Sequence, residues 1–106
     1  MQELATLMRY RSRAEIIGQI LADARGGGVS RTKVMYMSML SLLQAKEYLS
    51  ILTERGLLRY DKETQTYGTT EKGLMFLHKY TELTELTNDI GQSRVTYGRS
   101  VSQEVN

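Results

Sequence analysis

Two candidate capping boxes constrain the fold of this chain more than any other feature. Ser12 is followed three residues later by Glu15, and Ser41 is followed three residues later by Gln44. In a capping box the serine side chain and the Glu or Gln side chain each bond the other residue's backbone N–H, which starts a helix. Apolar residues recur at helical spacing after both pairs. The sequence therefore predicts a helix behind each serine.

Glycines predict where these helices end. The run Gly-Gly-Gly at 26–28 follows the first helix, and Gly56 follows the other, where a C-terminal glycine cap is typical. We therefore expect helices over about 13–25 and 42–55, with a short helix capped by Ser30 between them.

The triple glycine also raises the question of a phosphate-binding loop. A P-loop needs a strand before it and a Gly-Lys-Ser/Thr ending. The segment before the glycines is predicted as helix, and Lys33 is followed by Val34. We interpret the glycines as a helix–helix connection.

After Gly56 the pattern of the sequence changes from that of a helix to that of β-strands. Residues 57–60 and 67–70 have strand character and flank a polar turn, which predicts a hairpin. Thr70 can then cap a last helix that runs to about Ile90. The order helix, helix, helix, strand, strand, helix predicts an α+β, mainly helical fold: a winged helix-turn-helix with a two-stranded wing at about 57–69.

The predicted core brings the three short helices together. Its expected members are Ile16, Ile17, Ile20, Leu21, Leu42, Leu49 and Leu52. The methionines of the second segment, Met35, Met37 and Met39, are interpreted as adaptable core residues.

The length of 106 residues predicts one domain. We expect an N-terminal extension at 1–11 and a winged-helix domain with a C-terminal dimerisation helix at 12–90. Residues 91–106 are polar and without periodicity, so they are expected to form a disordered tail.

The last helix carries a stripe with the four-three spacing of a coiled coil. Its members are Phe76, Tyr80, Leu83, Thr87 and Ile90. The stripe predicts self-association through this helix. The alternative is that its first half packs on its own domain.

Composition excludes some kinds of site. The chain has no cysteine, which excludes disulfides and thiolate zinc sites. It has no apolar run long enough to span a bilayer and no signal-peptide pattern, so a cytoplasmic location is expected.

The net charge is only +2, but residues 1–40 hold six basic and three acidic residues. Such an asymmetry suits a polyanionic partner, with ordinary solvated charge as the alternative.

Catalytic patterns are missing from the sequence. His78 is a lone histidine on the last helix, and the sequence offers no nucleophile with a base and an orienting partner. We therefore expect a protein that is not an enzyme, with no cofactor, no metal and no evident small-molecule ligand.

Residues 12–88 resemble the archaeal winged-helix regulator family, especially its ten-kilodalton DNA-binding, chromatin-type members. The resemblance rests on RAEIIGQIL, SRTKVMY, LSLLQAKEYLSILTERGLL and YGTTEKGLMFLHKYTEL. It implies double-stranded DNA binding by a homodimer that pairs its C-terminal helices as an antiparallel coiled coil. It also implies a transcription regulator or a chromatin-type protein, associated with the nucleoid.

If the helix at 42–55 is the recognition helix in the major groove, its outer face and the nearby basic residues carry the contacts. The expected DNA-binding residues are Arg13, Arg31, Thr32, Lys33, Ser41, Gln44, Lys46, Ser50, Arg59, Lys62, Thr64 and Gln65. For Gln44 the alternative is a capping role alone. Glu47 on the same face repels phosphate unless it accepts from cytosine. A winged-helix module that binds protein without DNA is the alternative function.

Overall fold

The computed structural model describes the backbone of residues 11–100 and the side chains of residues 11–88. Within that range the order is α1 (Arg13–Asp23), α2 (Arg31–Ser38), α3 (Leu42–Glu54), β1 (Leu58–Asp61), β2 (Thr66–Thr69) and α4 (Glu71–Ser100). This is the predicted winged helix-turn-helix arrangement. The predicted extension at 1–11, apart from its last residue, lies outside the described residues. So do residues 101–106 of the predicted tail and the side chain of Ile90.

Both predicted capping boxes are present. The Ser12 hydroxyl accepts from the Glu15 N–H at 3.0 Å, and the Glu15 carboxylate accepts from the Ser12 N–H at 2.7 Å. The equivalent distances for Ser41 and Gln44 are 3.1 and 3.0 Å. These bonds satisfy backbone N–H groups that a helix start otherwise leaves without a partner.

The turn between α2 and α3 places a different leucine in the core from the one predicted. Met39 adopts the left-handed conformation, and the Leu40 N–H donates to the Met35 carbonyl at 2.9 Å. This helix-ending turn directs Leu40 inward, where it is 7% exposed, whereas Leu42 at the start of α3 is 46% exposed. The prediction of Leu42 as a core residue is therefore wrong.

The core is otherwise close to the prediction. Its buried apolar residues are Ile16, Ile20, Leu21, Ala24, Val29, Val34, Leu40, Ala45, Leu49, Leu52 and Leu58, with Ile17 partly buried against them. The interpretation of Met37 and Met39 as core residues is wrong, because both are exposed. Only a narrow side of the short α2 faces the core. Val34 and Ser38 are buried on that side, and Met35 is partly buried next to them.

The wing is an antiparallel pair of strands in which Tyr60 lies opposite Tyr67. Their ring centroids are 4.8 Å apart. Val29 adds a third short pairing, because its N–H and carbonyl both bond to Tyr67. At the tip, the Asp61 carboxylate accepts from the Glu63 N–H at 2.9 Å. The wing is thus attached to the connection between α1 and α2.

The sequence TTEKG joins the wing to α4. The Thr69 hydroxyl donates to the Leu21 carbonyl at 2.7 Å, and the Thr70 hydroxyl accepts from the Gly73 N–H at 3.0 Å. The Lys72 ammonium donates to the Arg55 carbonyl at the end of α3, at 2.8 Å. This stretch therefore links α1, α3, the wing and α4.

Helix α4 packs on the domain through the first part of the predicted stripe. Phe76 is half-buried against the core, and the Tyr80 ring lies directly over Gly18 of α1. Leu83 and Leu86 farther along are exposed, as is Thr87. These contacts agree with the alternative that the first half of the stripe packs on its own domain.

The backbone of α4 continues to Ser100, so the predicted end at about Ile90 is wrong. Residues 91–100, predicted as part of a disordered tail, are helical. No proline interrupts this segment, and glycine in a helix costs only about 1 kcal/mol relative to alanine. The polar composition that suggested disorder does not by itself stop a helix that is already formed.

Candidate nucleic-acid interface

The outer face of α3 is exposed along its whole length. Ala45, Leu49 and Leu52 face the core. On the opposite side, Leu43, Glu47, Ser50 and Glu54 follow one another at intervals of four, three and four residues, and all four are exposed. We call these four residues the outer row.

The N-terminal end of α3 uses two of the predicted contact residues for its own cap. Both Ser41 and Gln44 take part in the capping box, and the Gln44 bond uses its side-chain oxygen. The amide nitrogen of Gln44 is not needed for that bond. The capping role expected as one alternative for Gln44 is thus present.

A groove of about 510 Å³ separates α3 from the wing. It is lined by Arg31, Lys46, Leu49, Ser50, Thr53, Glu54, Tyr60 and Tyr67. Arg31 reaches it from the first residue of α2, and Tyr60 and Tyr67 reach it from the two strands. The groove therefore combines two cations and two phenols with the carboxylate of Glu54.

Arg31 also borders a second groove, toward the tip of the wing. Ser30, Thr32 and Gln65 line it together with Arg31 and the two tyrosines. Gln65 has a positive φ of 57°, a backbone conformation that is uncommon for residues other than glycine. The turn at the wing tip thus brings Gln65 toward the start of α2.

A third groove lies on the other side of the outer row. Arg13, Lys46, Glu47, Ser50 and Ile51 line it. Lys46 and Ser50 are shared with the groove beside the wing. Arg13 and Arg31, far apart in sequence, therefore flank the same turn of α3.

The structure thus brings together half of the predicted DNA-binding residues. Arg13, Arg31, Thr32, Lys46, Ser50 and Gln65 line one of the three grooves. Lys33, Arg59, Lys62 and Thr64 are exposed but lie outside these grooves. The Thr64 hydroxyl is 2.7 Å from that of Thr66, within the wing itself.

Two residues that line the grooves were not predicted as DNA-binding residues from the sequence. Tyr60 and Tyr67 were expected only as strand residues, yet both line the grooves that contain Arg31. Phenol groups can donate to phosphate oxygens. Their alternation on facing strands was visible in the sequence, but the side of the hairpin that meets α2 was not.

Neither a metal-binding cluster nor a membrane-spanning helix occurs among the described residues. No group of three or more acidic or histidine side chains lies within 11–88 in a position to hold a metal ion. His78 Nε2 lies 3.4 Å from a Glu82 carboxylate oxygen, and both side chains are exposed. Over the same part of the chain, no helix has the length and apolar character to cross a membrane.

Comparison with known proteins agrees with this architecture. A winged helix-turn-helix family profile matches residues 10–88. No curated protein matches the chain by sequence.

Solved structures share the fold at low sequence identity. Sso10a-2, a DNA-binding protein from Sulfolobus solfataricus, has a TM-score of 0.74 and 22% identity, over 89% of this chain and 100% of its own. MepR, a transcription regulator of the Staphylococcus aureus multidrug efflux pump MepA, has a TM-score of 0.65 and 14% identity, over 88% and 70%. CouR from Rhodococcus jostii RHA1, bound to p-coumaroyl-CoA, has a TM-score of 0.56 and 18% identity, over 98% and 82%.

Proposed function

We propose that this chain, which belongs to the winged helix-turn-helix family, binds double-stranded DNA as a homodimer. The observation that carries the proposal is the exposed outer face of α3, flanked by Arg13 on one side and Arg31 on the other. A helix exposed in this way fits the major groove, and the flanking cations suit the phosphates on either side. Sso10a-2, of the same fold, is a DNA-binding protein.

The proposed DNA contacts differ between the parts of this surface. Arg13, Arg31 and Lys46 contact phosphates, and Arg31 does so beside the N–H groups at the start of α2. The DNA strand that runs along the groove between α3 and the wing is contacted by Tyr60, Tyr67 and Gln65. Lys33 and the wing residues Arg59, Lys62 and Thr64 contribute weaker contacts at the periphery.

The biological role is that of a transcription regulator or a chromatin-type protein, acting on the nucleoid in the cytoplasm. MepR supports the regulator role by its fold, and Sso10a-2 supports DNA binding more generally. Selection of bound sequences from random duplex DNA separates the roles. A regulator enriches a palindrome, whereas a chromatin-type protein binds without enrichment.

The test of DNA binding is a salt series with the wild type and an Arg31→Ala/Lys46→Ala double variant. Phosphate contacts release counterions, so each lost contact makes the slope of log affinity against log salt less negative by about 0.9. We expect the double variant to bind more weakly and its slope to become less negative by about 3.6, because each subunit of the homodimer loses two phosphate contacts. Fluorescence anisotropy of a labelled duplex measures both quantities.

The matched control is Arg25→Ala/Lys79→Ala, which removes the same charge from two exposed residues outside the grooves. It should keep most of the affinity and nearly all of the slope. The proposal fails if the wild type binds no duplex at low salt. It also fails if the two double variants lose affinity and slope equally.

A protein-binding module is the second candidate, favoured by the carboxylates of Glu47 and Glu54 in the outer row. These groups repel phosphates but suit a basic protein surface. This candidate predicts a partner that is recovered by pull-down after nuclease treatment, together with DNA binding no stronger than that of a neutral protein. Recovery of nucleic acid alone would reject it.

A further inference from the structure

The outer row of α3 begins with a leucine and a glutamate. Leu43 is 69% exposed, and Glu47, one turn later, is exposed as well. The isobutyl group of Leu43 cannot hydrogen-bond, and the carboxylate of Glu47 repels phosphate. Neither side chain therefore suits the DNA backbone.

The cations that do suit the backbone stand beside this row. Lys46 is shared by the two flanking grooves, Arg13 lies in one of them and Arg31 in the other. Cations thus lie in both flanking grooves, whereas Leu43 lines neither of them and Glu47 lines only the groove that contains Arg13. In a helix that enters the major groove, the centre of the outer face meets the base edges.

The major groove presents a partner for each of these two side chains. The 5-methyl group of thymine makes apolar contacts, and the N4 amino group of cytosine donates to Asp or Glu. Four residues of helix rise about 6 Å, and stacked base pairs rise about 3.4 Å each. Leu43 and Glu47 are therefore about two base-pair steps apart along the groove.

We infer that Leu43 and Glu47 are specificity-determining residues that read pyrimidines, Leu43 a thymine methyl group and Glu47 a cytosine amino group about two steps away. This inference rests on the proposed DNA binding and gives it a base preference. It also favours sequence-selective binding over a purely backbone-directed mode, because the two side chains gain nothing from phosphates.

The first experiment selects duplexes from a random pool with the full chain and with a Glu47→Gln variant. The wild type should enrich a thymine and a cytosine about two steps apart. Glutamine pairs with adenine N6 and N7, so Glu47→Gln should replace the enriched cytosine with adenine and leave the thymine unchanged. Both residues are exposed, and circular dichroism checks that the variants are folded.

The second experiment replaces the enriched thymine with uracil, which lacks only the methyl group. Loss of one buried methyl contact should weaken wild-type binding about fourfold. A Leu43→Ala variant should bind the thymine duplex more weakly and should not distinguish thymine from uracil, as expected for a coupled pair. Met75→Ala, which truncates an exposed apolar residue of α4 outside the grooves, is the control and should keep the discrimination.

The outcomes separate this inference from the function on which it rests. DNA binding without pyrimidine enrichment, or equal wild-type affinity for thymine and uracil duplexes, overturns the base reading and leaves DNA binding standing. An unchanged cytosine preference in Glu47→Gln overturns the role of Glu47. Failure to bind any duplex overturns both proposals.

Discussion

At Gly73, helix α4 approaches the chain so closely that a side chain has no room. A Cβ atom there would clash with the Leu57 carbonyl oxygen and would lie 2.7 Å from the Thr69 side chain. Since the nearest atom belongs to the backbone, a larger residue must push α4 away from the start of the wing. We expect Gly73→Ala to lower the free energy of unfolding by about 1–3 kcal/mol, measured by urea denaturation.

Gly27→Ala is the matched control for this prediction. A Cβ at Gly27 meets nothing within 4 Å, and its φ is not in the left-handed region. Alanine there should leave stability unchanged or raise it by up to about 1 kcal/mol, because the unfolded chain loses freedom. Equal unfolding midpoints for Gly73→Ala and the wild type would contradict the packing described at α4.

The sequence could not reveal the role of Gly73. It showed only that a glycine stands where a capping-box glutamate would be expected after Thr70. The need for glycine arises from Leu57, which is distant in sequence and meets Gly73 only after the hairpin has folded. Close approaches of this kind depend on tertiary geometry, which local patterns do not contain.

Helix α3 depends on its cap because both its outer row and its core packing begin within its first turn. Ser41→Ala removes the hydroxyl that accepts from the Gln44 N–H. We expect a loss of about 1 kcal/mol in the free energy of unfolding and weaker DNA binding through fraying of the helix start. Urea denaturation and anisotropy measure the two effects.

Ser50→Ala on the same helix is the comparison for stability. Ser50 is exposed in the middle of α3, where alanine is the better helix former. Its unfolding free energy should be unchanged or slightly higher. If Ser41→Ala were as stable as Ser50→Ala, the capping box would not stabilise this helix.

Short-range signals account for the elements that were predicted correctly. The capping boxes and Gly56 act within a few residues, so the bounds of α1 and α3 could be predicted closely from the sequence. The exposure of Leu42 depends on the turn at Met39, and the grooves depend on how the wing meets α2. The sequence therefore predicted the fold and three of the basic residues that line the grooves, Arg13, Arg31 and Lys46, but it did not predict that the tyrosines line them.

At the scale of the whole molecule, α4 is longer than its own domain requires. Its first turns cover the core through Phe76, and Tyr80 packs on Gly18. Beyond them Leu83 is 63% exposed and Leu86 is 58% exposed. The predicted stripe contains Thr87 and not Leu86. The Thr87 hydroxyl donates to the Leu83 carbonyl of its own helix at 2.8 Å. We therefore place Leu83 and Leu86 in the proposed dimer contact.

Leu83→Lys tests that contact, because a charge in an apolar interface opposes pairing. We expect the wild type to sediment as a dimer and Leu83→Lys as a monomer, with DNA affinity reduced because two half-sites are no longer held together. Glu85→Lys, an exposed change on the same helix, is the control and should remain dimeric. A wild type that is strictly monomeric at high concentration would reject the homodimer. A dimeric Leu83→Lys would place the interface elsewhere.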